Sequence, residues 1–431
     1  MTNRSKNKSH MLSPLTAFSR IVGCVCLLAS VNAVFAAADQ PGSRHFDFAQ
    51  LSPNDSFTAE RGYGFDRGTH PEGAKSFYFS VAVPEGSYRV TVVFGDDTVA
   101  SDTTVKAETR QLMVERAVTQ PGESVPRDFI VNVRNSQVPP PEKNAPGGSA
   151  VVLNDREIGL LRWDDKLTLE FDGPAPHVRS VAIAPVTVPT IFLIGDSTVT
   201  DQPYEPGASW GQMLPRFFQP EIAVANHAES GETMKSFISG LRLAKVLSQM
   251  KAGDYLFIQF GHNDEKKNWP QTYVEAHTTY KAYLRAFIAE ARLRQATPVL
   301  VTSMQRRTFD AQGKIKNTHG DYPAAVREVA REDNVALIDL DRMSVAFYEA
   351  LGPAIAPLAF SAEGKDITHH DNYGAYELAK CVVQGIRDAK LPLAHLIVDD
   401  FKGFDPAHPD APESFTLAAS PARSNVTPRG N

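Results

Sequence analysis

TIFLIGDSTVTDQPYEPGASWG, residues 190–211, begins with a short apolar run, Ile191-Phe192-Leu193-Ile194, that closes on Gly195-Asp196-Ser197. A run of that length ended by glycine reads as a strand buried on both faces. The same signature returns in IAVANHA (222–228), DYLFIQFGHND (254–264), TPVLVTS (297–303) and NVALIDL (334–340). Helical periodicity lies between the runs, in MKSFISGLRLAKVLSQM (234–250), YKAYLRAFIAEARLRQ (280–295) and YPAAVREVARED (322–333). NYGAYELAKCVVQGIRDA (372–389) closes the series. Strand and helix in alternation predict an α/β unit, an open parallel sheet with helices on both faces. Such sheets bind ligands outside the carboxyl ends of their strands, so the loops after each run are where chemistry is expected.

Upstream of this unit the rhythm is different. SFYFSVAVPEGSYRVTVVFGDD (76–97) alternates Phe77, Phe79, Val81 and Val83, turns at Pro-Glu-Gly-Ser, and resumes with Tyr88, Val90 and Val92. DFIVNVRN (128–135), KLTLEFDG (166–173) and SVAIAPV (180–186) are further strand candidates, and PPPEKNAPGGSA (139–150) reads as a loop. Antiparallel strands with almost no helical pattern predict a β-sandwich-like domain. The expected organisation is a signal peptide at 1–38, an N-terminal β domain at 39–187, an α/β domain at 188–395 and a Pro-rich C-terminal tail at 396–431. In the tail, Phe401 and Phe404 offer brief packing, while SPARSNVTPRGN (420–431) reads as disordered.

The first 20 residues carry several cations and no acid, and IVGCVCLLASVNAVFA follows as an apolar run of signal-peptide length. Ala36, Ala37 and Ala38 supply small residues for cleavage. The expected location is therefore secreted or periplasmic, with no stable membrane insertion after cleavage. Cys24 and Cys26 leave with the signal; Cys381 remains, on a helical pattern that makes it a core residue. A formal net charge of −6 over 431 residues gives no electrostatic case for a nucleic-acid partner.

Two serines compete as nucleophile. Ser209 lies in Gly-x-Ser-x-Gly, but an elbow serine needs a strand leading into it, and DQPYEPG is not one. Ser209 reads instead as a helix N-cap. Ser197 stands at the carboxyl end of the first strand. DITHHDNYGAYELAK presents Asp366 and His369 three residues apart, just before a helix. That spacing lets a carboxylate orient an imidazole whose other nitrogen faces Ser197. His370 and Asp371 are nearby competitors, with Asp371 or Asn372 the expected cap. For an oxyanion hole, Ser197 and Gly231 offer backbone N–H groups and Asn263 a side-chain amide. Serine after strand one, glycine after strand two, asparagine after strand three and Asp-x-x-His before the last helix all fall on one sheet edge.

These residues resemble the SGNH (GDSL-type) hydrolases. Within them, GDSTV, SWGQML, GHNDEK, RRTFDAQGK, GDYPAAVREVA, ALIDL and DITHHDNYGA are similar to the rhamnogalacturonan acetylesterases of carbohydrate esterase family 12. RHFDFAQ and FTAERGYGFDRG resemble the N-terminal β domain of some bacterial members. The resemblance implies a flavodoxin-like sheet, Ser197 as nucleophile, His369 as base and then acid, Asp366 as its orienting group, and Gly231 and Asn263 in the oxyanion hole. It implies an acetylated polysaccharide substrate, most closely rhamnogalacturonan. Xylan or another acetylated glycan is the alternative, and a non-catalytic carbohydrate-binding protein is the reading from another class. NHAESGETMKSF departs from the family pattern by placing Glu229 and Glu232 beside Gly231. Arg306, Arg307 and Tyr322 are the candidate substrate-binding residues, the arginines because they match a uronate carboxylate. Trp210 is a sugar platform or a core residue. The mechanism calls for no cofactor and no metal; His262, His369 and His370 show no four-ligand spacing.

Overall fold

The computed structural model describes residues 41–139 and 147–424. The expected signal segment, with its two cysteines, and most of the 139–150 loop lie outside the described residues.

Among the described residues, nine strands build the N-terminal part: β1 (Arg44–Asp47), β2 (Tyr63–Asp66), β3 (Phe77–Ala82), β4 (Gly86–Phe94), β5 (Ser101–Ala107), β6 (Gln111–Thr119), β7 (Val125–Val133), β8 (Lys166–Ala175) and β9 (Val178–Pro185). They form two antiparallel sheets, ordered β1-β9-β4-β7 and β2-β3-β8-β5-β6. The alternating residues that marked 76–97 as a hairpin fill the space between the sheets: Phe77, Phe79, Val81, Val90 and Val92 have no exposed surface. Phe77 stacks on Phe171 with ring centroids 4.9 Å apart. β5 and β6 lack clean alternation because the outer face of their sheet is also covered. There Lys106, on β5, pairs with Asp172 at 2.6 Å and donates to the carbonyl of Ala418 in the tail.

The second part holds a parallel sheet of β10 (Thr190–Gly195), β11 (Ala223–Asn226), β12 (Tyr255–Gln259), β13 (Thr297–Val301) and β14 (Ala336–Ile338), ordered β11-β10-β12-β13-β14. This is the flavodoxin-like order, whose direction reverses between the first and third strands. One face is covered by α1 (Trp210–Met213), α6 (Leu340–Ile355) and α7 (Asn372–Asp388). The other is covered by α2 (Met234–Ser239), α3 (Arg242–Gln249), α4 (Lys281–Leu293) and α5 (Tyr322–Glu332). Cys381 and Trp210 lie in the core of the first face. Among the described residues no helix is long and apolar enough to cross a membrane.

Three features differ from the sequence reading. The single helix read over 234–250 is two, α2 and α3, broken at Leu241 with φ of +59°. The break is held from the β domain, where the Val152 N–H donates to the Gly240 carbonyl at 3.0 Å. Helix α6 is not legible in the sequence because its first residue, Leu340, extends the apolar pattern of β14, with Asp339 between them as the helix cap. The start of the stretch read as disordered is held, since the Ser420 N–H donates to Glu205 at 2.8 Å, while residues 425–431 lie outside the described residues. Phe401 packs edge-on against Phe217, which is the packing expected of it.

Candidate active site

Ser197 is placed by the turn that ends β10. Asp196 accepts from the Thr198 N–H at 3.0 Å and the Thr198 hydroxyl at 2.8 Å, which curls the chain around Ser197. Gly195 permits the close approach of β12, since a Cβ there would lie 2.5 Å from the Gln259 carbonyl oxygen. A second loop, Phe360–Asp371, brings the acid–base pair. Asp366 Oδ1 accepts the backbone N–H groups of Thr368 and His369 at 2.7 and 2.9 Å. Its Oδ2 lies 2.9 Å from His369 Nδ1, and His369 Nε2 lies 2.8 Å from Ser197 Oγ. All three residues are buried. Burial pushes the Asp366 carboxyl up, but the hydrogen bond and charge of His369 and the two backbone donors outweigh it and hold it well below the usual carboxylate range.

The loops after β11 and β12 flank Ser197 because both strands pair with β10. Gly231 takes φ of +82°, a conformation any side chain would strain. The Glu229 N–H donates to the Gly195 carbonyl at 3.2 Å and ties this loop to the end of β10. Asn263 is fully buried; its Nδ2 donates to the Glu232 carbonyl at 3.0 Å and its Oδ1 accepts from Lys266 at 3.1 Å. Those two bonds fix which end of the amide is the donor. Asp196 and His262 bring the third loop against the first, 3.5 Å apart.

The other nearby candidates turn away. Ser209 caps α1, accepting from the Gln212 N–H at 3.2 Å and donating to the Val199 carbonyl at 2.8 Å. Asp371 caps α7 through the Gly374 N–H. His370 Nε2 is engaged by the Tyr348 hydroxyl at 2.7 Å. Burial first, then the neighbouring His369, pushes its imidazole down to about 3. Unfolding between that value and the ordinary histidine range takes up one proton, so this contribution to stability falls as pH drops below the ordinary range. His370→Gln is therefore expected to close its stability gap to the wild type by about 1.4 kcal/mol per pH unit between roughly pH 6 and 4. Urea unfolding at several pH values checks this; a gap independent of pH contradicts it.

The substrate-binding expectations need correction. Tyr322 is buried at the start of α5, with its hydroxyl donating to the Val274 carbonyl at 2.5 Å and its ring edge-on to Tyr280, so it belongs to the core. Arg307 clasps the acid–base loop: it donates to the Gly364 and Asp366 carbonyls at 2.5 and 3.3 Å and lies over the Phe360 ring. Arg306 does line the cleft, but its guanidinium is paired with Glu265 at 2.7 Å.

A cleft of about 1530 Å³ is lined by Asp366 and Thr368 of the acid–base loop and Ser230 of the loop after β11, and one wall comes from the β domain, through residues such as Leu153, Arg156 and Arg162. Arg423 and Ser424 of the tail add to the rim. None of these was anticipated from the sequence. Glu229 and Glu232 were the available signal, because acids in a buried loop require cationic partners. Glu229 pairs with Arg156 at 2.8 Å and with Arg162, and Glu232 lies 3.3 Å from Arg242. Arg242 in turn holds Glu157 of the β domain. Burial raises Glu157, yet Arg242 and Arg162 prevail and keep its carboxyl down at about 2. The domains are thus joined next to the site by a seam of paired carboxylates and arginines.

The chain is similar in sequence to known proteins. Residues 193–367 match the GDSL-like Lipase/Acylhydrolase family. Over 221 residues the chain is 41% identical to rhamnogalacturonan acetylesterase RhgT of Bacillus subtilis (strain 168), covering 48% of this chain and 94% of that protein. It is 40% identical to the probable rhamnogalacturonan acetylesterase YesY of the same organism, covering 49% of this chain and 98% of that protein. The uncharacterized esterase YxiM, also of B. subtilis, is 27% identical over 80% of this chain and 88% of its own length. Set beside the loops around Ser197, these likenesses place the chain in the GDSL-like lipase/acylhydrolase family, as a carboxylic ester hydrolase.

Proposed function

We propose that the protein is an exported carbohydrate acetylesterase that removes O-acetyl groups from rhamnogalacturonan. The observation that carries the reading is the unbroken chain from Asp366 through His369 to Ser197, with contacts of 2.9 and 2.8 Å. Ser197 Oγ attacks the acetyl carbonyl while His369 Nε2 takes its proton. The oxyanion is received by the N–H groups of Ser197 and Gly231 and the Asn263 amide. Collapse breaks the ester bond, and His369 gives the proton to the departing sugar oxygen, which leaves as a hydroxyl. Water, deprotonated by His369, then cleaves the acetyl-enzyme, giving acetate and free Ser197.

The sugar substrate is supported by the relatives at 41 and 40% identity whose names carry that activity. A cleft of about 1530 Å³ has room for more than a small ester. Export is supported by the basic, then apolar, then small-residue order of residues 1–38. The test is acetate released from acetylated rhamnogalacturonan and from acetylated xylan. The expected result is a kcat/KM at least about tenfold higher on rhamnogalacturonan, a preference of about 1.4 kcal/mol. The reverse order would assign the site to xylan, and no release from either would remove the acetylesterase reading.

A further inference from the structure

The geometry points to the N-terminal β domain as a working part of the acyl-transfer site, with Arg156 as the positioning residue that aims the Gly231 N–H of the oxyanion hole. The inference rests on the proposed roles of Ser197 and Gly231.

Arg156 belongs to the segment between β7 and β8, yet its Nη2 donates to the Ser230 carbonyl. That carbonyl and the Gly231 N–H belong to one peptide unit. In a trans peptide the C=O and N–H point in opposite directions across a rigid plane. A cation fixed on the Ser230 oxygen therefore sets the direction of the Gly231 N–H, and by polarising the amide it strengthens that donor. Gly231, at φ of +82° and without a side chain, has little else to hold its plane. A Cβ built there would meet only Arg156, at 3.9 Å.

Arg156 is itself braced. Its Nε donates to Glu229 Oε1 at 2.8 Å, and Arg162 holds the other Glu229 oxygen. Arg162 also donates to the Thr200 hydroxyl at 2.7 Å and the Asp201 carbonyl at 3.0 Å, in the loop that carries Ser197. Thr200 closes the circuit by donating to the Ala228 carbonyl at 2.8 Å. Two β-domain arginines thus lock the nucleophile loop and the oxyanion loop to each other. RhgT is too short to hold both domains, since a 221-residue match covers 94% of it. That relative must orient its loop by other means, so this brace is a property of chains that carry the β domain.

The experiment uses the full chain, 4-nitrophenyl acetate as an uncharged small substrate, and phenylboronic acid as a probe that becomes tetrahedral on the serine. Arg156→Met is expected to lower kcat about 30-fold, less than the ~100-fold or more of deleting an oxyanion donor, with KM within about twofold. Boronate affinity should weaken in parallel, and the melting temperature should stay near that of the wild type. Arg156→Lys, which keeps the charge but cannot grip Glu229 and Ser230 together, should fall between, and it carries the test if the methionine variant does not fold. Unchanged kcat overturns the proposal. So does a lowered kcat with unchanged boronate affinity, or a loss confined to polysaccharide, which would make Arg156 a sugar contact. Labelling of the wild type by a fluorophosphonate reports separately on the underlying reading: modification anywhere but Ser197 would remove that reading, whatever Arg156 does.

Discussion

Ser197→Ala is expected to lower kcat for acetyl ester hydrolysis by roughly 10⁶-fold, the scale seen when a triad serine is removed. The residual rate would come from binding and oxyanion donors alone, with no acyl-enzyme formed. The control is Ser209→Ala, the other serine in a nucleophile-like motif. Ser209 caps α1 and bonds the Val199 carbonyl, so its loss should cost about 1 kcal/mol of stability and leave kcat within about twofold. Steady-state kinetics on 4-nitrophenyl acetate with thermal unfolding of both variants separates the two. A dead Ser209→Ala protein that is folded, beside an active Ser197→Ala protein, would reverse the assignment.

That contrast shows which parts of the site were legible in the sequence. Ser197, Asp366 and His369 were readable because each is fixed by local order: an apolar run ends, a glycine follows, or two side chains three residues apart precede a helix. The parallel sheet was readable for the same reason, since strands buried on both faces are continuous apolar runs. The pattern faded where burial is by charge. β5 carries Lys106 on a face with almost no exposure, and its partners Glu170 and Asp172 lie far along the chain. Arg307 and Tyr322 stand beside motifs in the sequence, but nearness in sequence does not say which way a side chain points. Tyr322 opens α5 on its core face, and Arg307 turns back onto the loop it supports.

Glu229 and Glu232 illustrate the limit most clearly. In the sequence they are two acids beside an oxyanion glycine, and the natural reading is an effect on which sugar is accepted. In the fold both carboxylates meet arginines, and Glu229 meets two from another domain. Glu229 is thus held by the β domain, whereas Glu232 meets Arg242 of α3. Arg242 and Glu157 form the fully buried part of this seam, and removing one partner of such a pair typically costs about 3–5 kcal/mol. The seam thus makes separate excision of the catalytic domain a change to the active site as well as to stability.

Asp366→Asn is expected to lower kcat about 10⁴-fold at neutral pH while leaving the fold intact. The direction follows from the hydrogen bonds around the carboxylate. Oδ1 accepts two backbone N–H groups, from Thr368 and His369, so in the variant the amide oxygen must take that place. The amide nitrogen is then forced toward His369 Nδ1, where it can only donate. The imidazole must present a lone pair at Nδ1, its proton moves to Nε2, and Nε2 can no longer accept the proton of Ser197. The same bonds give a second reading of the substitution. Because His369 and the backbone donors hold the Asp366 carboxyl well below its usual range, the wild type gains stability from it above the ordinary carboxylate pKa and loses that gain as pH falls through the folded value. The stability deficit of Asp366→Asn should therefore be largest near neutral pH and shrink in acid. A variant that keeps more than about a tenth of wild-type kcat would mean that His369 finds its working tautomer without Asp366, and the carboxylate would then be a loop-forming residue only.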